Sequence, residues 1–138
     1  LLDLPRDRRG AQAVSISHGA RLSLLAWCPS GTLGADLVEL DSLAQASPAE
    51  LVATAALYLG SDAAAQVAAA AHAGQARTRF AVAWAGMEAR LKCLGLALDE
   101  WQPERASRLA GVKQAPVRPL AADGQACNRW VGSVAWRA

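Results

Sequence analysis

The chain is predicted to be α+β, and three features of its sequence carry that prediction. Short alternating segments, separated by tight turns, fill its beginning as far as Leu40. Three helical patterns follow, each bounded by a cap or a glycine. A last alternating segment closes the chain. Strands and helices are thus segregated rather than interleaved, as in α+β domains. The length of 138 residues suits one domain, residues 1–138. Hydrophobic residues at 53% against 19% charged residues exclude a disordered chain. Alanine is the commonest residue; it favours helix but packs little surface, so the larger apolar side chains and the tryptophans must hold the core.

Residues 1–10 read as an irregular leader broken by Pro5 and Gly10. Its charges (Asp3, Arg6, Asp7, Arg8, Arg9) are unlike a secretion signal. The chain opens on leucine rather than methionine, as a fragment of a longer protein would. Ala13–Ser17 alternates and meets a turn at His18-Gly19. Arg21–Cys28 is leucine-rich and ends at Pro29-Ser30-Gly31. Thr32–Leu40 alternates again. These are predicted to be three strands in an antiparallel meander packed against a long helix.

The period then changes. Ser47-Pro48-Ala49-Glu50 has the form of a capping box with proline at the first helical position, and that helix should run to about Leu59. Ser61 is expected to cap an alanine-rich helix to about Ala73. A third helix is expected over Thr78–Leu94, where Phe80, Trp84, Met87, Leu91 and Leu94 form one apolar stripe. After Gly95 the periodicity is lost among Pro103, Pro116 and Pro119. Trp130–Trp136 alternates and reads as a closing strand.

Several functional classes lack support. A net charge of +2 is too small to argue for nucleic acid. No uncharged apolar run reaches the roughly 18 residues of a membrane helix. No GxGxxG, P-loop, HExxH or GxSxG motif occurs. Cys28, Cys93 and Cys127 are widely spaced and apolar-flanked, as expected of reduced thiols that fill a core, so the cytoplasm is the expected compartment.

Two carboxylates interrupt apolar patterns. Asp36 falls mid-strand, which is unfavourable unless it is paired or binds a cation. The strand period puts Val38 on its face and Glu39 on the opposite one. Its plainer reading is an acid on a solvent-facing edge. Glu88 lies in the row Ala81, Ala85, Glu88, Lys92 beside the apolar stripe; its plainer reading is a surface ion pair with Lys92, four residues on. One carboxylate on a strand and one on a helix suit an oxygen-ligated Mg²⁺ with phosphate completing its shell. The geometric expectation is that both reach one cation. Ser17 and His18, at a strand end, are candidates for a phosphate contact. His72, among alanines, reads as a surface residue.

Taken in order, Ser17-His18, Gly34-Ala35-Asp36-Leu37-Val38-Glu39 and Trp84-Ala85-Gly86-Met87-Glu88-Ala89-Arg90-Leu91-Lys92, then Gly95, resemble the 4′-phosphopantetheinyl transferase superfamily over about residues 10–138. That family carries Ser-His, then Gly-[Ile/Val]-Asp-hydrophobic-Glu, then Trp-x-x-Lys-Glu-[Ala/Ser]-x-x-Lys. The resemblance implies transfer of the phosphopantetheine arm of coenzyme A to a serine of an acyl or peptidyl carrier protein. It implies Asp36 and Glu88 as Mg²⁺ ligands, Glu88 also as base, Lys92 as a catalytic phosphate neutraliser, and Ser17, His18 and Lys92 as coenzyme A contacts. Two positions depart from the pattern. The surfactin-type branch has a second carboxylate where this chain has Val38, and a lysine where it has Met87, which here joins the apolar stripe. Glu39 resembles the Ile-Val-Glu ending of the short holo-acyl-carrier-protein synthase branch. A non-catalytic or weakened relative that binds a carrier protein or another partner is the alternative. Long members have two similar halves, of which the chain matches one, so a homo-oligomer or a complex with a missing half is expected. Its contact surface should be the face formed by Arg21–Cys28, Thr32–Leu40 and Trp84.

Overall fold

In a computed structural model that describes residues 13–120, 123–125 and 127–138, the chain forms two small antiparallel sheets and four α-helices. The leader expected over residues 1–10 lies outside the described residues. β1 (Ala13–His18) and β2 (Ser23–Cys28) form a hairpin with Val14 opposite Trp27 and Ile16 opposite Leu25. The period of two sorts their side chains. Val14, Ile16, Leu25 and Trp27 are exposed on one face, while Ser15 and Ser17 are buried on the other.

The expected meander stops after this hairpin. β3 (Thr32–Glu39) does not pair with β2. It pairs instead with the closing strand β5 (Trp130–Arg137), with Asp36 opposite Ser133. β4 (Lys113–Val117) flanks β5 on its other side, giving the order β3-β5-β4. The reason lies in the backbone of β3. Alternate N–H groups of an antiparallel strand point away from its partner and need acceptors elsewhere. The amides of Ala35 and Leu37 donate to the Ser15 and Ser17 hydroxyls at 2.8 and 3.2 Å. Serine side chains of β1 therefore do what a neighbouring strand's carbonyls would have done. Gly31, at φ +85°, lets the chain leave the hairpin.

α1 (Pro48–Tyr58) begins with the predicted capping box. The Ser47 amide donates to Glu50 Oε2 at 2.8 Å, and the Glu50 amide to Ser47 Oγ at 3.3 Å. α2 (Ser61–Ala71) is capped by Gly60 rather than Ser61, which is already helical. Gly60 has φ +94° and lies against the Trp101 ring, so neither its backbone nor its packing leaves room for a side chain. α3 (Ala76–Cys93) carries the apolar stripe. Phe80, Met87 and Leu91 are buried with Leu51, Ala55, Leu59 and Val67, and Trp84 and Leu94 pack half-buried against them. Burying a side chain such as Leu91 contributes about 1.5–3 kcal/mol.

The aperiodic stretch after Gly95 contains two elements that its pattern hides. α4 (Pro103–Leu109) is short and buries only Leu109, too little to show a period. β4 contains Pro116, which an edge strand tolerates because its N–H is not needed there.

α3 lies directly on β3 and β5. A Cβ on Gly34 would overlap the Ala89 carbonyl, and Ala85, Ala89 and Ala135 are fully buried at this seam. Small residues thus bring helix and sheet backbones into contact. α3 and β1 cover Gly34–Leu37, so this part of the expected uncovered face is buried. The outer face of the hairpin, by contrast, exposes Val14, Ile16, Leu25 and Trp27 side by side. No helix among the described residues is long and apolar enough to cross a membrane.

Candidate functional site

A cleft of about 900 Å³ opens between β1, β3, α1 and α3, with Trp130 of β5 beside Gly19 at its wall. Ser17, His18, Asp36, Glu88 and Lys92 all line it. Three sequence motifs that lie far apart along the chain therefore meet at one place.

Asp36 is buried, not on a solvent-facing edge. Its Oδ1 accepts hydrogen bonds from Lys92 Nζ at 2.7 Å and from Ser17 Oγ at 3.1 Å. Lys92 Nζ also donates to the Ala35 carbonyl at 3.1 Å. Because α3 rests on β3, the lysine reaches the strand, and the Glu88–Lys92 ion pair expected along the helix is not among the ion pairs of the described residues. Ser17 has a double role: its oxygen accepts the Leu37 amide while its proton goes to Asp36. It anchors the strand carboxylate rather than presenting a free hydroxyl to the cleft.

His18 sits at the exposed rim, where its Nδ1 is 2.9 Å from Ser23 Oγ. Glu88 is half-buried, and its carboxyl makes no ion pair among the described residues. Burial pushes its carboxyl above the ordinary range, and the Asp36 charge pushes it further, with Lys92 partly offsetting both. A half-buried acid with a perturbed pKa in a cleft is a reasonable acid–base or ligand candidate.

Among the further lining residues are Glu39, Glu50 and Trp130, to which sequence reasoning gave no site role. Glu39 lines the cleft although the strand period assigns it to the opposite face; it is the last residue of β3, where the chain turns into a short 3₁₀ segment, Leu40–Leu43. Glu50 belongs to the cap of α1, and its sequence context advertised only that role. Trp130 gave no signal beyond its strand. Val38, where the surfactin-type branch has a carboxylate, also lines the cleft. Met87 is 3% exposed and belongs to the core.

Among the described residues, the titratable lining is Asp36, Glu39, Glu50 and Glu88 against Lys92 and His18. This excess of carboxylates favours a cation and opposes a bare phosphate. Among the described residues no group of three His, Cys, Asp or Glu side chains is placed to hold a metal ion. Asp36 and Glu88, near enough for the Asp36 charge to act on Glu88, are the cleft carboxylates that could contribute to a Mg²⁺ ion, which commonly takes its remaining oxygens from water and phosphate. Lys92 would then have to yield Asp36 Oδ1.

The three cysteines are free: Cys93 is buried, and Cys28 and Cys127 are half-buried. His72 is exposed. Comparisons with protein-family models, curated proteins and solved structures found no match to this chain.

Proposed function

We propose that this chain is a 4′-phosphopantetheinyl transferase domain that moves the phosphopantetheine arm of coenzyme A onto a serine of an acyl or peptidyl carrier protein. One observation carries the reading: the residues that resemble the family's motifs, Ser17, His18, Asp36, Glu88 and Lys92, line a single cleft. In the reaction the carrier serine oxygen forms a bond to the β-phosphorus of coenzyme A. The bond from that phosphorus to the adenosine bisphosphate leaving group breaks, and Glu88 takes the serine proton. Such transfers depend on alignment and charge neutralisation more than on covalent help. Magnesium, when bound, supplies the positive charge that the acidic lining lacks. With Mg²⁺ held by Asp36 and Glu88, Lys92 would be free to neutralise the phosphate.

The alternative is a non-catalytic relative that uses the cleft to bind a carrier protein or another partner. It is favoured by the Lys92–Asp36 pair, which already neutralises the strand carboxylate, and by Val38 and Met87. The reading also includes a cytoplasmic location and a homo-oligomer or a complex with a missing half. The exposed hairpin face of Val14, Ile16, Leu25 and Trp27 supports the association, since large exposed apolar patches mark interaction sites. Mass spectrometry decides between the two activities. Apo carrier protein incubated with this chain, coenzyme A and Mg²⁺ should gain the phosphopantetheine mass; an unchanged mass with several carrier proteins would leave the binding module.

A further inference from the structure

A second groove, of about 310 Å³, lies beside α3 and shares no lining residue with the cleft. Its polar lining is Arg79 and Arg90 of α3, Asp62 and Gln66 of α2, and Gln114 of β4. Arg90 follows Glu88 by two positions and precedes Lys92 by two, so the helical period turns it away from both.

The electrostatics of Arg90 are unusual. It is half-buried, and no carboxylate among the described residues lies within ion-pairing distance of it. Its Nε donates to the Gly86 carbonyl at 3.4 Å, a long bond within its own helix. Burial lowers its pKa. A half-buried guanidinium with no carboxylate partner among the described residues is better compensated when something negative completes it. The neighbouring groups point the same way. Arg79 donates to Gln66 Oε1, which leaves the Gln66 amide N–H₂ as a donor. Among the described residues, Asp62 is the one acid lining the groove, against two arginines.

We propose that this groove binds an oxyanion, the phosphate or carboxylate group of a ligand, with the Arg90 guanidinium as its principal contact. A planar fork of N–H donors matches both groups in bidentate fashion. The proposal does not depend on the function proposed for the cleft.

The test is thermal unfolding of the full chain with inorganic phosphate or acetate at millimolar concentration, against sodium chloride of equal ionic strength. Phosphate should raise the unfolding midpoint of the wild type and of Lys92→Gln alike. A rise with phosphate alone assigns a phosphorylated ligand, and an equal rise with acetate assigns a carboxylate. Arg90→Leu, which removes a desolvated charge and keeps apolar bulk, should fold and lose the rise. Arg90→Lys should weaken apparent binding about tenfold, since it keeps the charge and loses the fork. A rise that survives Arg90→Leu, one that Lys92→Gln abolishes, or no rise in the wild type overturns the proposal.

Discussion

Lys92 Nζ lies 2.7 Å from Asp36 Oδ1 and ties the last turn of α3 to the middle of β3. The pair gives the cleft a built-in counter-charge at the position where a metal ligand is expected. Ser17 holds the same oxygen from β1, so one carboxylate joins three elements.

Lys92→Gln leaves Asp36 buried with a weaker partner. The lysine is partly solvated, so the loss of stability should lie between the values for surface and buried pairs, about 1–2 kcal/mol. Urea unfolding measures it. If Asp36 and Glu88 share a cation site, millimolar Mg²⁺ should restore part of the loss in this variant and stabilise the wild type less. Equal Mg²⁺ effects on both would argue against competition between lysine and metal.

Ser15→Ala and Ser17→Ala each remove an acceptor for a β3 amide. A buried N–H left unsatisfied costs about 1–3 kcal/mol. Ser17→Ala should cost more, because Asp36 loses a hydrogen bond as well. Chemical denaturation of the two variants side by side checks the order.

Glu88 supplies a pH signature. Its folded-state pKa is raised, mainly by burial and then by Asp36, so the folded state holds this proton more tightly than the unfolded chain. The stability linked to that proton is complete below the unfolded pKa and is lost as pH rises through the folded value. Glu88→Gln cannot ionise. Relative to wild type it should be unchanged at low pH and gain stability as pH rises above 4.5, the ordinary value for this carboxyl. Unfolding midpoints measured from about pH 3 to 8 give the difference curve; a flat curve would show that Glu88 carries no such penalty.

Met87→Lys places an ammonium where a thioether fills the core. Met87 is only 3% exposed. The loss should be about 2–4 kcal/mol, even though the resembling family has lysine at this position. A denaturant midpoint close to wild type would show that the lysine escapes to solvent.

Gly34→Ala tests the seam between α3 and β3. The added methyl group would meet the Ala89 carbonyl oxygen, which is helix backbone and cannot turn aside. A loss of about 1–3 kcal/mol is expected from overpacking. The shift should also disturb the Lys92–Asp36 pair, so the variant's response to Mg²⁺ should change together with its stability.

Local chemistry made much of the fold legible. The Ser47–Glu50 box, the spacing of Phe80, Met87 and Leu91, and the alternation of Trp130–Trp136 each act within a few residues, so sequence alone determines them. That Asp36 and Glu88 each break an apolar pattern was also legible, and both line the cleft. Strand pairing was not legible. Whether the edge of β3 away from β5 takes up β2 or the Ser15 and Ser17 hydroxyls is a contact between elements. The partner of Lys92 was decided in the same way. Along the helix Glu88 is the natural neighbour, but the glycine and alanine seam draws α3 onto β3 until the ammonium reaches Asp36. Spacing along a chain specifies which side chains share a face; only the approach of a second backbone decides which charges meet.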